Sequence, residues 1–191
     1  SDYLHPYDET HVIGIGKETA GGNEHFSYYQ GVKISLFDVS DVENPREVAK
    51  YEIGDRGTDS PALRDHKAVL FDKGKNLLVL PISLYEVNEE SYMGEVSTNA
   101  YGEFVWQGAY VLNISLDGIS LRGKITHDNS VLENTYRYSN YNTQIQRSLY
   151  MDNVLYTISQ SKIKANDLES VDEINSLELG YKEDYYIYPY E

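Results

Sequence analysis

Residues Leu70–Val79 have the sequence LFDKGKNLLV, in which a short apolar run, a polar turn and a second apolar run follow one another. This pattern is typical of a β-hairpin. It occurs twice more, as LHPYDETHVI at Leu4–Ile13 and as LYMDNVLY at Leu149–Tyr156. A pattern that returns after about 60 to 80 residues indicates a repeated structural unit.

Two further strands are predicted after each hairpin. The third strand of each unit ends in a turn residue, in the segments Val32–Asp38, Ala109–Asn113 and Lys162–Asn166. The fourth strands are predicted at Glu47–Ile53, Ile119–Thr126 and Ser170–Leu179. Four strands per repeat are typical of β-propeller blades. The sequence therefore predicts an all-β chain of about three four-stranded antiparallel blades.

The repeat also predicts how the domain is divided. We expect one propeller domain over residues 1–191, with blades at about 1–59, 60–127 and 128–179 and a tail at 180–191. We expect Gly74 to supply a positive φ in the second hairpin turn, and Asp152-Asn153 to form a tight turn in the third hairpin.

Three blades do not close a ring, because propellers close with about four to eight. The blades are therefore expected to be part of a larger propeller or of a dimer. In the dimer, blade one of each copy would meet blade three of the other, which completes a six-bladed ring around a two-fold axis. The aromatic tail segment Tyr185–Tyr190 suits such a seam.

Composition restricts the classes of partner. The chain has 16 Lys and Arg against 31 Asp and Glu, a formal charge of -15, which repels nucleic acid and anionic membranes. No run of about 18 apolar residues and no signal-peptide pattern is present, so we expect a soluble chain without membrane insertion of its own. It contains no cysteine, which leaves its redox compartment open.

A family resemblance rests on the stretch GVKISLFDVSDVENPREVAKYEIGDRGTDSPALRDHKAVLFDKGKNLLVLPIS, residues 31–83, and on LHPYDETHVIGIGKE before it. The stretch resembles secreted archaeal and bacterial proteins whose C-terminal β-propeller is distantly related to WD repeats. The resemblance is best over Tyr3–Tyr85. It implies a propeller, an extracytoplasmic location and a longer parent chain, but no activity. No WD dipeptide occurs, and Trp106 is expected in a loop.

Loop length predicts the working face. In a propeller, the connections between second and third strands and those between blades emerge on one face. Loops this long are usually functional or disordered, and we favour function. The two long second-to-third connections are Gly16–Gln30 and Tyr85–Gly108. Their ligand-binding candidates are aromatic residues, with one histidine: His25, Tyr28, Tyr29, Tyr85, Tyr92, Tyr101 and Trp106. Such rings, interleaved with glutamates, suit a glycan or a protein partner. Alternatively, the acidic residues solvate an insertion that the rings hold to the blade.

The segment Arg64-Asp65-His66 between blades one and two supplies three more binding candidates. Together with Arg56, Arg137 and Arg147, Arg64 would give a local cationic pocket for a carboxylate. The alternative, which we favour, is that Arg64 and Asp65 hydrogen-bond between blades and that His66 caps a strand.

Catalytic and metal-binding motifs are absent from the sequence. The five histidines lack the spacing of a zinc site, and no nucleophile elbow, P-loop or dinucleotide fingerprint occurs. We therefore predict no catalytic residue, no metal and no cofactor. The favoured function is a non-catalytic extracytoplasmic module that binds a protein or glycan through its long-loop face. The alternatives are a hydrolase with carboxylates at the channel mouth and a purely architectural spacer or assembly domain.

Overall fold

A computed structural model describes residues 2–23, 26–91, 95–128 and 140–180. In this part of the chain, twelve β-strands form three four-stranded antiparallel sheets, and no α-helix occurs. Each sheet keeps its strands in the order of the sequence. The predicted all-β fold of three four-stranded antiparallel blades is confirmed.

Each blade is one sheet. Blade one contains β1 (Tyr3–Pro6), β2 (His11–Asn23), β3 (Phe26–Asp38) and β4 (Arg46–Ile53). Blade two contains β5 (Leu70–Asp72), β6 (Leu77–Glu86), β7 (Glu103–Ser115) and β8 (Gly118–Ile125). Blade three contains β9 (Arg147–Met151), β10 (Val154–Ile158), β11 (Lys162–Asp167) and β12 (Glu173–Glu178). Short 3₁₀ turns lie at Pro61–Leu63, His66–Ala68, Lys73–Lys75 and Glu89–Ser91.

Polar side chains close the hairpin turns. In blade two the Asp72 carboxylate accepts a hydrogen bond from the Lys75 amide at 3.0 Å, and Asn76 ends the turn in the left-handed region at φ 48°. The expectation that Gly74 supplies the positive φ is therefore wrong. Asparagine tolerates this conformation, so Asn76 takes the left-handed position that was expected of Gly74. The tight turn Asp152-Asn153 joins β9 to β10 as expected.

The seam between blades one and two is an aliphatic core. Ile13, Ile15 and Ile34 of blade one are buried in one cluster with Leu80 and Ile82 of blade two. Burying each such side chain is worth about 1.5–3 kcal/mol. The face of blade one toward blade two is therefore fixed by the apolar side of β2 and β3.

The seam between blades two and three has an aliphatic cluster and a polar part. Val79 and Val111 are buried in one cluster with Leu155 of blade three. Beside them lies the buried His127, which follows β8. Its Nδ1 is 2.9 Å from the Ser159 hydroxyl, and its Nε2 is 2.8 Å from the Thr157 hydroxyl. This seam therefore combines aliphatic burial with buried side-chain hydrogen bonds.

The outward flanks of blades one and three differ. On blade three, Leu149, Met151 and Leu177 share the face opposite to Leu155, and all three are exposed. On blade one, the outward face carries a charged group in which the Lys33 ammonium lies 2.9 Å from Glu18 and 3.0 Å from Glu47. Completion of a ring by a second copy stays a prediction.

Of the two segments that the sequence predicts as long loops, Gly16–Gln30 is largely strand and Tyr85–Gly108 is strand at both ends. The ladder of β2 and β3 continues past Lys17↔Val32 to Thr19↔Tyr29 and Ala20↔Tyr28, so Gly16–Gln30 forms a hairpin arm. In blade two, Trp106 belongs to β7 and pairs with Leu84 of β6. The expectation that Trp106 lies in a loop is wrong, because the β6–β7 ladder extends to Glu86↔Glu103.

Candidate functional site

The hairpin arm of blade one, residues 16–30, meets the blade-two loop, residues 87–102. The Gln30 side-chain amide donates a hydrogen bond to the Thr98 carbonyl oxygen at 2.9 Å. Gly21, at φ 63°, packs so closely that a Cβ there would lie 2.4 Å from the Thr98 hydroxyl. The two long connections are therefore brought together by direct contact.

The segment between blades one and two, residues 54–60, passes beneath this contact and is held by hydrogen bonds. The Asp55 amide donates to the Tyr85 carbonyl oxygen, and the Asp55 carboxylate accepts from the Val87 amide, both at 2.8 Å. The Thr58 hydroxyl exchanges two hydrogen bonds of 2.9 Å with the backbone of Tyr85. These bonds fix the backbone on both sides of Arg56.

Arg56 places its guanidinium between two tyrosine rings. The guanidinium carbon is 4.4 Å from the ring centre of Tyr101 and 5.0 Å from that of Tyr28. The Arg56 carbonyl oxygen accepts a hydrogen bond from the Gly102 amide at 2.7 Å. Cation–π contacts of this kind are worth about 0.5–2 kcal/mol and hold the guanidinium plane in place.

This guanidinium has no acidic partner within the described part of the chain. Its buried Nη1 has no hydrogen-bond partner there either. The other four arginines of that part all hydrogen-bond to a side-chain oxygen, in the pairs Arg46–Asp38, Arg64–Asp59, Arg122–Asn113 and Arg147–Asp65. Arg56 is therefore held in position by rings rather than neutralised.

The rings and the guanidinium line a cleft of about 500 Å³, which we call the Arg56 cleft. Tyr29 and Tyr101 are 68% and 65% exposed, so their rings are open to a ligand. The remaining lining residues are polar or glycine: Lys17, Ser27, Gln30, Gly57 and Asp59. No aliphatic side chain of the described residues lines this cleft.

Asp59 at the edge of the cleft is engaged by two cations. Its carboxylate pairs with the Arg64 guanidinium and lies 3.8 Å from the Lys17 ammonium, which also donates to the Thr58 carbonyl oxygen. The hydrogen bond to Asp59 raises the pKa of Arg64. Burial lowers the pKa of Lys17, although Asp59 acts in the opposite direction. Asp59 thus stabilises the cleft wall instead of neutralising Arg56.

The predicted candidates separate into those that line the Arg56 cleft and those that do not. Tyr28, Tyr29 and Tyr101 come together there, from connections far apart in the sequence. The predicted cationic pocket of Arg56, Arg64, Arg137 and Arg147 is not seen among the described residues. Arg64 pairs with Asp59 and Arg147 with Asp65, and Arg137 lies outside the described residues. Two glycines with positive φ lie near Arg56, Gly54 at 62° and Gly57 at 114°. In the sequence, these glycines are the local indication that the backbone around Arg56 is unusual.

Tyr85 and Trp106 pack within the blade. The Tyr85 ring lies 5.5 Å from that of Phe104 and covers Gly57. The Trp106 ring is 5.5 Å from that of Tyr110 and packs against the aliphatic core of the first seam. These contacts match the alternative in which the rings hold the insertion to the blade, whereas a ligand role for Tyr85 and Trp106 stays a prediction.

Asp65 links blades two and three. Its carboxylate accepts a hydrogen bond from the Arg147 guanidinium at 2.6 Å and another from the Lys67 amide at 2.9 Å. The hydrogen bond from the Lys67 amide is the main cause that lowers the pKa of Asp65. The predicted inter-blade bond of Asp65 is confirmed, while Arg64 pairs with Asp59. His66 begins a 3₁₀ turn and is exposed, so the expectation that it caps a strand is wrong.

Several predicted residues lie outside the described part. These are His25, Tyr92, Arg137 and the tail segment Tyr185–Tyr190.

A second cleft, also of about 500 Å³, lies between blades two and three and contains Arg122. Arg122 donates to the Asn113 side-chain oxygen at 2.7 Å, to the Leu168 carbonyl at 3.0 Å and to the Lys75 carbonyl at 3.2 Å. Three acceptors from two blades therefore occupy its guanidinium. We call this the Arg122 cleft.

No helix among the described residues has the length and apolar composition needed to span a bilayer. No group of three or more His, Cys, Asp or Glu side chains is arranged to hold a metal ion in that part of the chain.

The three blades agree with the comparison to known families. The chain belongs to the beta propeller domain family, which matches residues 1–171. It is 30% identical over 187 residues to an uncharacterised protein of Methanocaldococcus jannaschii, covering 95% of this chain and 22% of that protein. An uncharacterised protein of Archaeoglobus fulgidus is 28% identical over 179 residues, which cover 94% of this chain and 20% of that protein. The chain thus spans about a fifth of the length of these curated relatives.

Proposed function

We propose that this propeller segment is a non-catalytic binding module whose ligand, a glycan or a protein, is bound in the Arg56 cleft. The observation that carries the proposal is the cation held between Tyr28 and Tyr101 with no acidic partner among the described residues. A preformed concave site with exposed rings and a small number of fixed polar groups is typical of ligand binding.

The carboxylates beside the cleft favour binding over hydrolysis. A glycoside hydrolase uses two carboxyl groups, one as acid and one as base or nucleophile, that can change protonation and reach the substrate. Here Asp55 accepts a hydrogen bond from the Val87 amide, and Asp59 pairs with Arg64. Both groups support the cleft wall.

An extracytoplasmic location belongs to the same proposal. It is supported by the resemblance to secreted archaeal and bacterial proteins. Fractionation of cells of the source organism, with an antibody against this module, tests it. Recovery from the cytoplasm would contradict this part of the proposal.

The binding proposal is tested by substituting one exposed ring. We expect Tyr101→Ala to weaken binding to an array of oligosaccharides and peptides about tenfold, because an aromatic contact is worth about 0.5–1.5 kcal/mol. Tyr141→Ala is the matched control, since Tyr141 is 64% exposed and does not line the cleft. Both variants should melt like the wild type. Unchanged binding by Tyr101→Ala would reject the Arg56 cleft as the binding site.

A further inference from the structure

We infer that the Arg56 cleft recognises a uronic acid, a sugar ring that carries a carboxylate, within an acidic glycan. The inference rests on the proposed function and specifies its ligand class. Two features of the cleft carry it: the geometry of the guanidinium and the composition of the lining.

The guanidinium geometry selects a planar anion. The rings of Tyr28 and Tyr101 lie within 5.0 Å of the guanidinium carbon of Arg56, so the N–H edge is the part left for hydrogen bonding. Guanidinium N–H groups form a rigid fork that matches the two oxygens of a carboxylate. A guanidinium already fixed by stacking loses little freedom when such a ligand binds.

The protein does not fill this fork itself, although acidic residues are abundant. The chain has 31 Asp and Glu and a formal charge of -15, yet no described carboxylate pairs with Arg56. The two acids nearest in sequence are committed elsewhere, Asp55 to the Val87 amide and Asp59 to Arg64. An external carboxylate would therefore find a free partner at this position.

The lining favours a sugar over an acidic peptide. Peptide-binding sites usually contain apolar pockets that bury aliphatic or aromatic anchors. Among the described residues, this cleft is lined by tyrosine rings and polar side chains without an aliphatic one. Tyr29 and Tyr101 present exposed ring faces for a pyranose, and Gln30 and Ser27 offer hydrogen-bonding groups for hydroxyls.

The experiment compares two forms of one sugar. Isothermal titration calorimetry is performed with a trimer of galacturonic acid and with its methyl ester, which keeps the rings but removes the charge. Trimers of glucuronic and mannuronic acid extend the series, and a glutamate hexapeptide represents acidic peptides. We expect at least one uronate trimer to bind about tenfold more tightly than its methyl ester, and more tightly than the peptide.

Two variants of Arg56 connect this preference to the guanidinium. Arg56→Gln should bring the affinity for the acid down to that for the ester and leave the ester unchanged. Arg56→Lys should also lose most of the preference, because an ammonium keeps the charge but lacks the planar fork. Arg46→Gln is the control, since Arg46 is exposed at the start of β4, does not line the cleft and pairs with Asp38.

The outcomes separate the inference from the function on which it rests. Equal affinities for acid and ester, tighter binding of the peptide, failure of every uronate to bind, or an unchanged preference in Arg56→Gln would each overturn the uronate inference. The proposed function would survive these results if Tyr101→Ala still weakened binding of a neutral glycan or a peptide about tenfold. Binding of the uronate that is insensitive to both Arg56→Gln and Tyr101→Ala would overturn the two together.

Discussion

Two arginines in this molecule lie in clefts of about the same volume, about 500 Å³, but in different surroundings. Arg122 is surrounded by acceptors from blades two and three, at 2.7 to 3.2 Å. Arg56 is surrounded by tyrosine rings and has no acceptor among the described residues. The comparison teaches that clefts of equal volume can differ in the hydrogen-bonding state of the central cation. This difference is the basis of the proposal that the Arg56 cleft binds a ligand and the Arg122 cleft does not.

The largest effect is expected at an aromatic residue that the sequence placed with the ligand surface. Trp106→Ala should lower the free energy of unfolding by about 2–4 kcal/mol, because the ring packs against the core of the first seam. Tyr101→Ala should change it by less than about 1 kcal/mol, since the ring is 65% exposed. Urea denaturation measures both values. A Trp106→Ala variant that is as stable as the wild type but binds the ligand more weakly would show that Trp106 belongs to the ligand surface.

The next effect separates the two arginines. Arg122→Ala should lower the free energy of unfolding by about 2–3 kcal/mol, because it leaves the carbonyl oxygens of Lys75 and Leu168 without a donor. Arg56→Ala should cost less, about 1–2 kcal/mol, because two partly exposed cation–π contacts of about 0.5–1 kcal/mol each are lost. Thermal unfolding of the pair checks the order. If Arg56→Ala lost more free energy of unfolding than Arg122→Ala, Arg56 would have the larger structural role, which contradicts the comparison.

Local sequence patterns predict the strands of each blade but not how far β2 and β3 extend. The hairpins, the four strands per blade and the tight turn at Asp152 follow from local alternation and turn residues, which act over a few positions. The extension of β2 and β3 is hidden by glycines and polar residues in Gly16–Gln30. The antiparallel pairing that β2 and β3 form from His11↔Asp38 to Lys17↔Val32 continues through these residues. Trp106 did carry a signal, since the sequence EFVWQ alternates as a strand does.

The candidate site was predictable in part. Tyr28, Tyr29 and Tyr101 follow from the length and composition of the two connections. The role of Arg56 does not follow, because its isolation depends on rings contributed by residues 28 and 101. No local pattern shows that the other arginines have oxygen partners while this one lacks them. Such non-local pairing decides which cation is available.

A smaller effect concerns pH and the seam that contains Arg122. Burial, with the nearby ammonium groups of Lys164 and Lys162, lowers the pKa of His127 to about 4. The unfolded chain takes up this proton near pH 6.5, whereas the folded chain does not until about pH 4. Stability is therefore complete above pH 6.5 and falls as the pH decreases toward 4.

The expected loss from His127 between pH 7 and pH 5 is about 1–2 kcal/mol. Urea denaturation at both values, for the wild type and for His127→Gln, measures it. The variant should have a flatter dependence, because glutamine does not titrate. Burial also lowers the pKa of His5, so the difference between the two proteins isolates His127. Parallel curves for the two proteins would contradict the assignment.

The most direct test of the claim that the Arg56 cleft binds and the Arg122 cleft does not is a nuclear magnetic resonance titration. The Nε–H signals of the two arginines, assigned from Arg56→Gln and Arg122→Gln, are followed while the uronate trimer that binds most tightly is added. We predict that the Arg56 signal shifts and saturates with the affinity measured by calorimetry, and that the Arg122 signal stays in place. An unmoved Arg56 signal at saturation, or a shift at Arg122 instead, would contradict the account.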